Sequence, residues 1–171
     1  MRITQEAQRA KRMIDTQSSL HCGGPYSSND VAVETCFENV PPTLEEMALS
    51  KFFKEHPSII QDKSILHVGT GDGSLDQQLS NSAGHVDSIS ISRAEIEHAK
   101  RKSSGTNVEY FLVNKHNRQE LGSLKDKYDI IIDVNLKSFA CCETHFREMF
   151  EAYLEMMHDS SSIFSATTGI N

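Results

Sequence analysis

The chain has 171 residues, a formal charge of −7, and 37% hydrophobic against 24% charged residues. This is the profile of one globular domain able to bury roughly two-thirds of its unfolded surface. The acidic balance argues against the broad basic face that sequence-independent nucleic-acid binding needs, although the first fifteen residues are locally basic. No apolar run approaches the ~20 residues that cross a bilayer, so no membrane span is expected. The charged N-terminus "MRITQEAQRAKRMID" has no signal-peptide core, which makes the cytoplasm the expected address. Cys22, Cys36, Cys141 and Cys142 show no CxxC spacing and read as reduced, small apolar residues. His21, Cys22, Cys36 and His145 match no ligand spacing, so no metal is expected.

In chain order, residues 1–16 carry Ile3, Ala7, Ala10, Met13 and Ile14 at helical spacing. Residues 17–42 are rich in Gly, Ser, Asn and Pro. They read as a long irregular segment, either a lid carrying Tyr26, Asp30 and Glu34 or a loosely packed arm. Thr43 and Glu46 form a capping box that opens a helix through about His56, with Met47, Phe52 and Phe53 on its apolar side. These parts make an N-terminal helical arm and lid-like segment, 1–56.

From 57 to 171 the pattern alternates. "SILHV" is a short buried strand and "SLDQQLSN" a helix. "HVDSISI" is the second strand, and Ser92 to Glu95 is another capping box leading into "AEIEHAKRK". "VEYFLV" is the third strand, and "YDIIIDV" is a fourth, apolar on both faces as a covered strand must be. "THFREMFEAYLEMM" brings Phe146, Met149, Phe150, Tyr153, Leu154 and Met157 to helical spacing, and "SSIFSAT" is the fifth strand. Alternation of this kind predicts an α/β, Rossmann-like, mostly parallel sheet with flanking helices, and ligands beyond the carboxyl ends of its strands.

The first strand runs into Gly69, Gly71 and Gly73 in "ILHVGTGDGSL". Glycines there let backbone N–H groups and a helix N-terminus approach a polar ligand. The spacing is G-x-G-x-G. A dinucleotide loop would need its last glycine at position 74, which is Ser74, and a phosphate-binding loop would need a lysine that is absent.

"ILHVGTGDGSLDQQL" resembles the first motif of the class I S-adenosylmethionine (SAM) dependent methyltransferases. The resemblance continues in order through "HVDSISISRAEIEHAKR", "NVEYFLVNKHN" and "KYDIIIDVNLKSF", about residues 60 to 168. It implies that Gly69, Thr70, Gly71 and Gly73, with His67 just before them, line the amino-acid part of SAM. It puts the ribose at Ser90 or its neighbour Ile91 and the adenine near Asn114 and Lys115. Asp133 to Leu136 then lie where methyl and acceptor meet, with Asp133 and Asn135 as candidate general base and orienting amide. Cys141 or Cys142, near the start of the following helix, reads either as a packed thiol or as an activated one.

Several positions depart from the family pattern. His67 stands where an acid is usual, Asn114 replaces the adenine-side acid, and Ser90 replaces the ribose carboxylate. A charged acceptor is worth about 1.5–3 kcal/mol against about 1 for a neutral hydroxyl, so the loss predicts SAM binding weakened tenfold or more. Restoring the acid with Ser90→Asp is then expected to tighten it. Asp87 is offset by an odd number of residues and faces away from Ser90.

Family members also continue past the fifth strand into closing strands that this sequence lacks. That leaves an edge for a homodimer or a partner protein to cover. The sequence therefore predicts a SAM-dependent methyltransferase acting on a small molecule or biosynthetic intermediate. The alternative is a methyltransferase-like protein without methyl transfer, serving as a binding or assembly subunit or holding another ligand in the pocket.

Overall fold

Residues 42–103, 107–124, 127–137 and 142–166 are described by a computed structural model. The expected helix 1–16, nearly all of the segment 17–42, and Cys141 lie outside the described residues.

Thr43 opens α1 (Leu44–Glu55) with both halves of the capping box: its hydroxyl accepts from the Glu46 N–H, and Glu46 accepts from the Thr43 N–H at 2.7 Å. A 3₁₀ turn at Pro57–Ile59 leads to β1 (Ser64–Val68). There follow α2 (Ser74–Ser80), β2 (His85–Ser90), α3 (Arg93–Lys102), β3 (Val108–Leu112), the short α4 (Arg118–Leu121), β4 (Tyr128–Ile132), α5 (Glu143–Glu155) and β5 (Met157–Phe164). The sheet order is β3-β2-β1-β4-β5, and every pairing is parallel. This is the Rossmann-like α/β class that the alternation implied.

Two layers of side chains cover the sheet, and the register assigns them. Ile65 pairs with Val86 and Ile130, and these three face Phe53 of α1 and Leu75 and Leu79 of α2. The intervening Leu66, Val68 and Ile131 face Leu121, Met149 and Tyr153 on the other side. Phe53 meets Phe164 of β5 edge-on at 5.3 Å between ring centres. That contact fixes α1 across the sheet with Glu46 at its loop end. The strand order reverses between β1 and β4, the point at which open α/β sheets take their ligands.

Three local readings need correction. In α5 the buried residues are His145, Met149, Ala152 and Tyr153, while Phe150 and Leu154 are 36% and 55% exposed. The period was right, but a helix laid on one sheet buries a single stripe, and this stripe is rotated from the one the apolar residues drew. Second, β5 starts at Met157, not at Ser161: Tyr128 pairs with Met157 but Ile130 with Ser162. The Ser161 hydroxyl, donating to the Tyr128 carbonyl at 2.7 Å, bridges the irregularity. Third, Met47 is 48% exposed, so Phe53 rather than Met47 anchors α1.

Candidate functional site

After β1 the chain turns through three left-handed residues. Gly69, Gly71 and Gly73 have φ of 96°, 55° and 76°, a region that costs an ordinary residue roughly 1–2 kcal/mol. Their reasons differ. A Cβ on Gly73 would stand 3.0 Å from the Ala99 Cβ, so this glycine lets the loop close on α3. At Gly69 nothing among the described residues lies within 4 Å of the added carbon, and the residue is exposed. The N–H groups of Gly69 and Thr70 donate to the Ile89 carbonyl, and that of Gly73 to the Thr70 carbonyl. Those of Gly71 and Asp72 have no partner among the described residues.

Under the loop lies a buried polar chain. Thr70 and Ser88 hydroxyls meet at 2.9 Å, Ser88 donates to Asp76 Oδ2 at 2.9 Å, and His67 Nδ1 lies 2.6 Å from Asp76 Oδ1. The β1–β2 register sets His67 beside Ser88, and α2 supplies Asp76. Burial pulls the imidazole pKa down, but the charge and hydrogen bond of Asp76 outweigh it and hold His67 above its ordinary value. Its Nε2 is buried with no hydrogen-bond partner among the described residues. The Glu46 and Asp133 carboxylates add a weaker pull.

At the end of β2, Ser90 is 7% exposed and Ile91 half-buried. The Ser90 hydroxyl donates to Glu95 Oε2 at 2.6 Å and accepts from the Ser92 N–H at 3.0 Å. Only half of the expected capping box is therefore made. Ser92 Oγ accepts from the Glu95 N–H, but the Glu95 carboxylate turns inward to Ser90 instead of back to Ser92. Burial, above all, raises the Glu95 carboxyl to about 7, with Ser90 opposing the shift and Glu46 adding to it. Sequence reasoning missed Glu95 because a Glu three residues after a serine cap has a ready surface role. The usable signal was an acid five residues beyond a position that had lost one. Asp87, on the opposite face, is taken by Tyr128 at 2.5 Å and His85 at 2.8 Å.

Beyond β3, Asn114 is 2% exposed, and its side-chain oxygen accepts from the His116 N–H at 3.0 Å. Lys115 reaches across to β4. Its Nζ donates to Asp133 at 2.9 and 3.2 Å and to the Asn135 carbonyl at 2.7 Å. Tyr153 donates to Asp133 Oδ2 at 2.9 Å and the Asn135 N–H to Oδ1 at 3.1 Å. Burial lowers the Lys115 pKa and Asp133 opposes that shift; burial together with Asp133 holds the Tyr153 phenol well above its ordinary value. Asp133 is thus a fully engaged acceptor, and Asn135 contributes its backbone while its side chain is exposed. Cys142 caps α5, with Sγ 3.4 Å from His145 Nδ1.

A separate groove of about 430 Å³ lies between α1 and α2, lined by Glu46, Ser50, Asp72 and Gln78 among others. It meets the loop at Thr70 and Asp72 but includes neither Ser90, Asn114 nor Asp133. No helix among the described residues is long and apolar enough to cross a membrane.

No protein-family model and no curated protein sequence matches the chain. Solved structures do match. N-methyltransferase NodS from Bradyrhizobium japonicum WM9, in complex with S-adenosyl-L-homocysteine (SAH), superposes with a TM-score of 0.63 at 11% identity, over 91% of this chain and 71% of NodS. The sugar N-methyltransferase KedS8 from Streptoalloteichus gives 0.54 at 16% identity, over 71% of this chain and 46% of its own. An rRNA methylase from Streptococcus thermophilus gives 0.54 at 14%, over 77% and 76%. The fold is that of the class I SAM-dependent methyltransferases.

Proposed function

We propose that this chain binds SAM and transfers its methyl group to a small molecule. The observation that carries the reading is the cradle after β1. There a left-handed glycine is open where a side chain would stand, two N–H groups are unspent, and polar acceptors wait at the end of β2. These are the residue types a zwitterionic amino acid joined to a nucleoside requires. Gly69, Thr70, Gly71 and Gly73 hold the amino-acid part, with His67 beneath them. Ser90 and Ile91 flank the ribose, and Asn114 and Lys115 border the adenine. The fold shared with NodS in its SAH complex supports the same placement.

SAM supplies an electrophilic methyl on a sulfonium, and in-line transfer depends chiefly on positioning. The Lys115–Asp133–Tyr153 cluster forms a rigid wall at the β4 end, and Asn135 beyond it lies where an acceptor would dock. With both oxygens engaged, Asp133 orients this wall and an acceptor entering with its lone pair free needs no base from it. The charge of −7 favours a small molecule over an RNA acceptor. The expected cytoplasmic address and a homodimer or partner over the β5 edge are parts of the same proposal.

A second reading, a ligand-binding protein of this fold without methyl transfer, is favoured by one observation: the carboxylate nearest the acceptor side is consumed by Lys115 and Tyr153. Calorimetric titration with SAM and SAH, followed by transfer of labelled methyl to a panel of small amines and alcohols, separates the two. Micromolar binding with transfer supports the enzyme, and binding with no transfer to any acceptor supports the second reading. A folded protein that binds neither compound overturns both SAM-based forms.

A further inference from the structure

We propose that Glu95 supplies the ribose-binding carboxylate that position 90 lacks, delivered from the first turn of α3 instead of from the end of β2. The inference rests on the SAM-site reading above and assigns one residue within it.

Three observations carry it. The Glu95 carboxylate touches the ribose position itself, with Oε2 at 2.6 Å from Ser90 Oγ. It has left the place where a capping-box glutamate would sit, since the Ser92 N–H bonds Ser90 and not Glu95. The bond from Ser90 is the only one its carboxylate makes among the described residues, which leaves the second oxygen to spare. A carboxylate held by one hydroxyl, with an oxygen to spare, is built to accept two vicinal hydroxyls. Ser90 then serves as the hinge between them: its hydroxyl already receives the Ser92 N–H and gives its proton to the acid.

The same geometry makes cofactor affinity depend on pH. Facing Glu95 are Ser90 of β2 and the Glu46 carboxylate of α1, and the His67 imidazole of β1 feels that same Glu46. With its carboxyl raised to about 7, Glu95 is protonated below neutrality and must release a proton to accept from both ribose hydroxyls. Affinity rises with pH through neutrality, and binding below it releases a proton.

The test is calorimetric titration of wild type and Glu95→Gln with SAH and with its 2′-deoxy analogue, at pH 6 and pH 8.5. Wild type is expected to prefer SAH by about tenfold at pH 8.5, the worth of one charge-assisted hydrogen bond over a neutral one, and by much less at pH 6. Glu95→Gln should show the small preference at both values. The double variant Ser90→Asp/Glu95→Gln, which moves the acid back to β2, should recover the preference and lose its pH dependence near neutrality. Equal weakening of both ligands by Glu95→Gln would mean a structural role, and unchanged discrimination would mean no role; either overturns the inference. Failure of folded wild type to bind either ligand at either pH overturns instead the SAM-site reading on which it stands.

Discussion

Glu95 and Asp133 both lie beneath the carboxyl edge of the sheet, 6% and 1% exposed, yet their surroundings are opposite. Asp133 has a lysine, a phenol and a backbone N–H on its two oxygens. Glu95 has one serine hydroxyl. A carboxylate surrounded by charged and directional donors is committed to the fold, because removing it strands those donors in a dry interior. A carboxylate with a single exchangeable partner has weak claims on it and can be given to a ligand. Position near a strand end therefore does not separate the two acids; their partners do.

That contrast is most easily broken at Asp133. Asp133→Ala takes the counter-charge from the buried Lys115 ammonium, which keeps the Asn135 carbonyl, and the acceptor from the Tyr153 hydroxyl, and should cost about 3–5 kcal/mol of stability, read by urea denaturation. A loss under 1 kcal/mol accompanied by lost methyl transfer would instead make Asp133 a poised base and erase the distinction.

Glu95 has a different signature, visible in pH rather than in absolute stability. Its folded-state carboxyl sits near 7 against an ordinary 4.5, so between these values the native protein keeps a proton that the unfolded chain has released. Stability contributed by this group is present at low pH and declines as pH rises from 4.5 to about 7, by about 3 kcal/mol in all. Glu95→Gln should remove that slope, so the difference between variant and wild type, followed by denaturation from pH 4.5 to 8, isolates it from the raised His67. A pH-independent difference would return Glu95 to an ordinary capping role.

The loop sharpens the comparison between fold and ligand by the same logic. Gly73→Ala combines a left-handed φ with a 3.0 Å approach to Ala99 and should cost about 2–3 kcal/mol in stability. Gly69→Ala meets no neighbour among the described residues and should cost about 1–2 kcal/mol, while on the proposed placement of SAM its methyl enters the ligand's space and should remove most SAH affinity. Denaturation and titration of the pair should therefore rank them in opposite orders.

Much of this architecture could be read from the sequence, for physical reasons that differ by element. "SILHV" is a short, mostly apolar run and "YDIIIDV" a longer one, both followed or flanked by turn residues, so their strands could be placed to within a residue or two of Ser64–Val68 and Tyr128–Ile132. Glycine carries its signal in one residue, and three of them announced the loop. The rotated stripe on α5 and the early start of β5 could not be read, since Phe150, Leu154 and Ser161 depend on how neighbouring elements dock. Of the candidate site positions, His67, Ser90, Asn114, Lys115 and Asp133 lie in or just beyond the carboxyl ends of their strands, as the alternation placed them, but their hydrogen-bond partners could not be read. Nothing in the spacing says that Lys115 spans 18 residues to Asp133, or that Glu95 abandons its cap.

Ser90→Asp is where sequence and structure expect different results. Sequence alone predicts about tenfold tighter SAM binding from restoring the missing acid. In the structure an aspartate at 90 would face Glu95, whose oxygen already lies 2.6 Å from the Ser90 hydroxyl. Two carboxylates that close share a proton, so the substitution adds a proton with its charge and leaves the ribose with one ionised acceptor, as before. SAH affinity at pH 7 should then change by less than about threefold, an effect worth under about 0.7 kcal/mol. In the Glu95→Gln background the same aspartate has no rival and should raise affinity by about tenfold. Tenfold tightening in both backgrounds would show that position 90 acts alone and that Glu95 lies outside the ribose site.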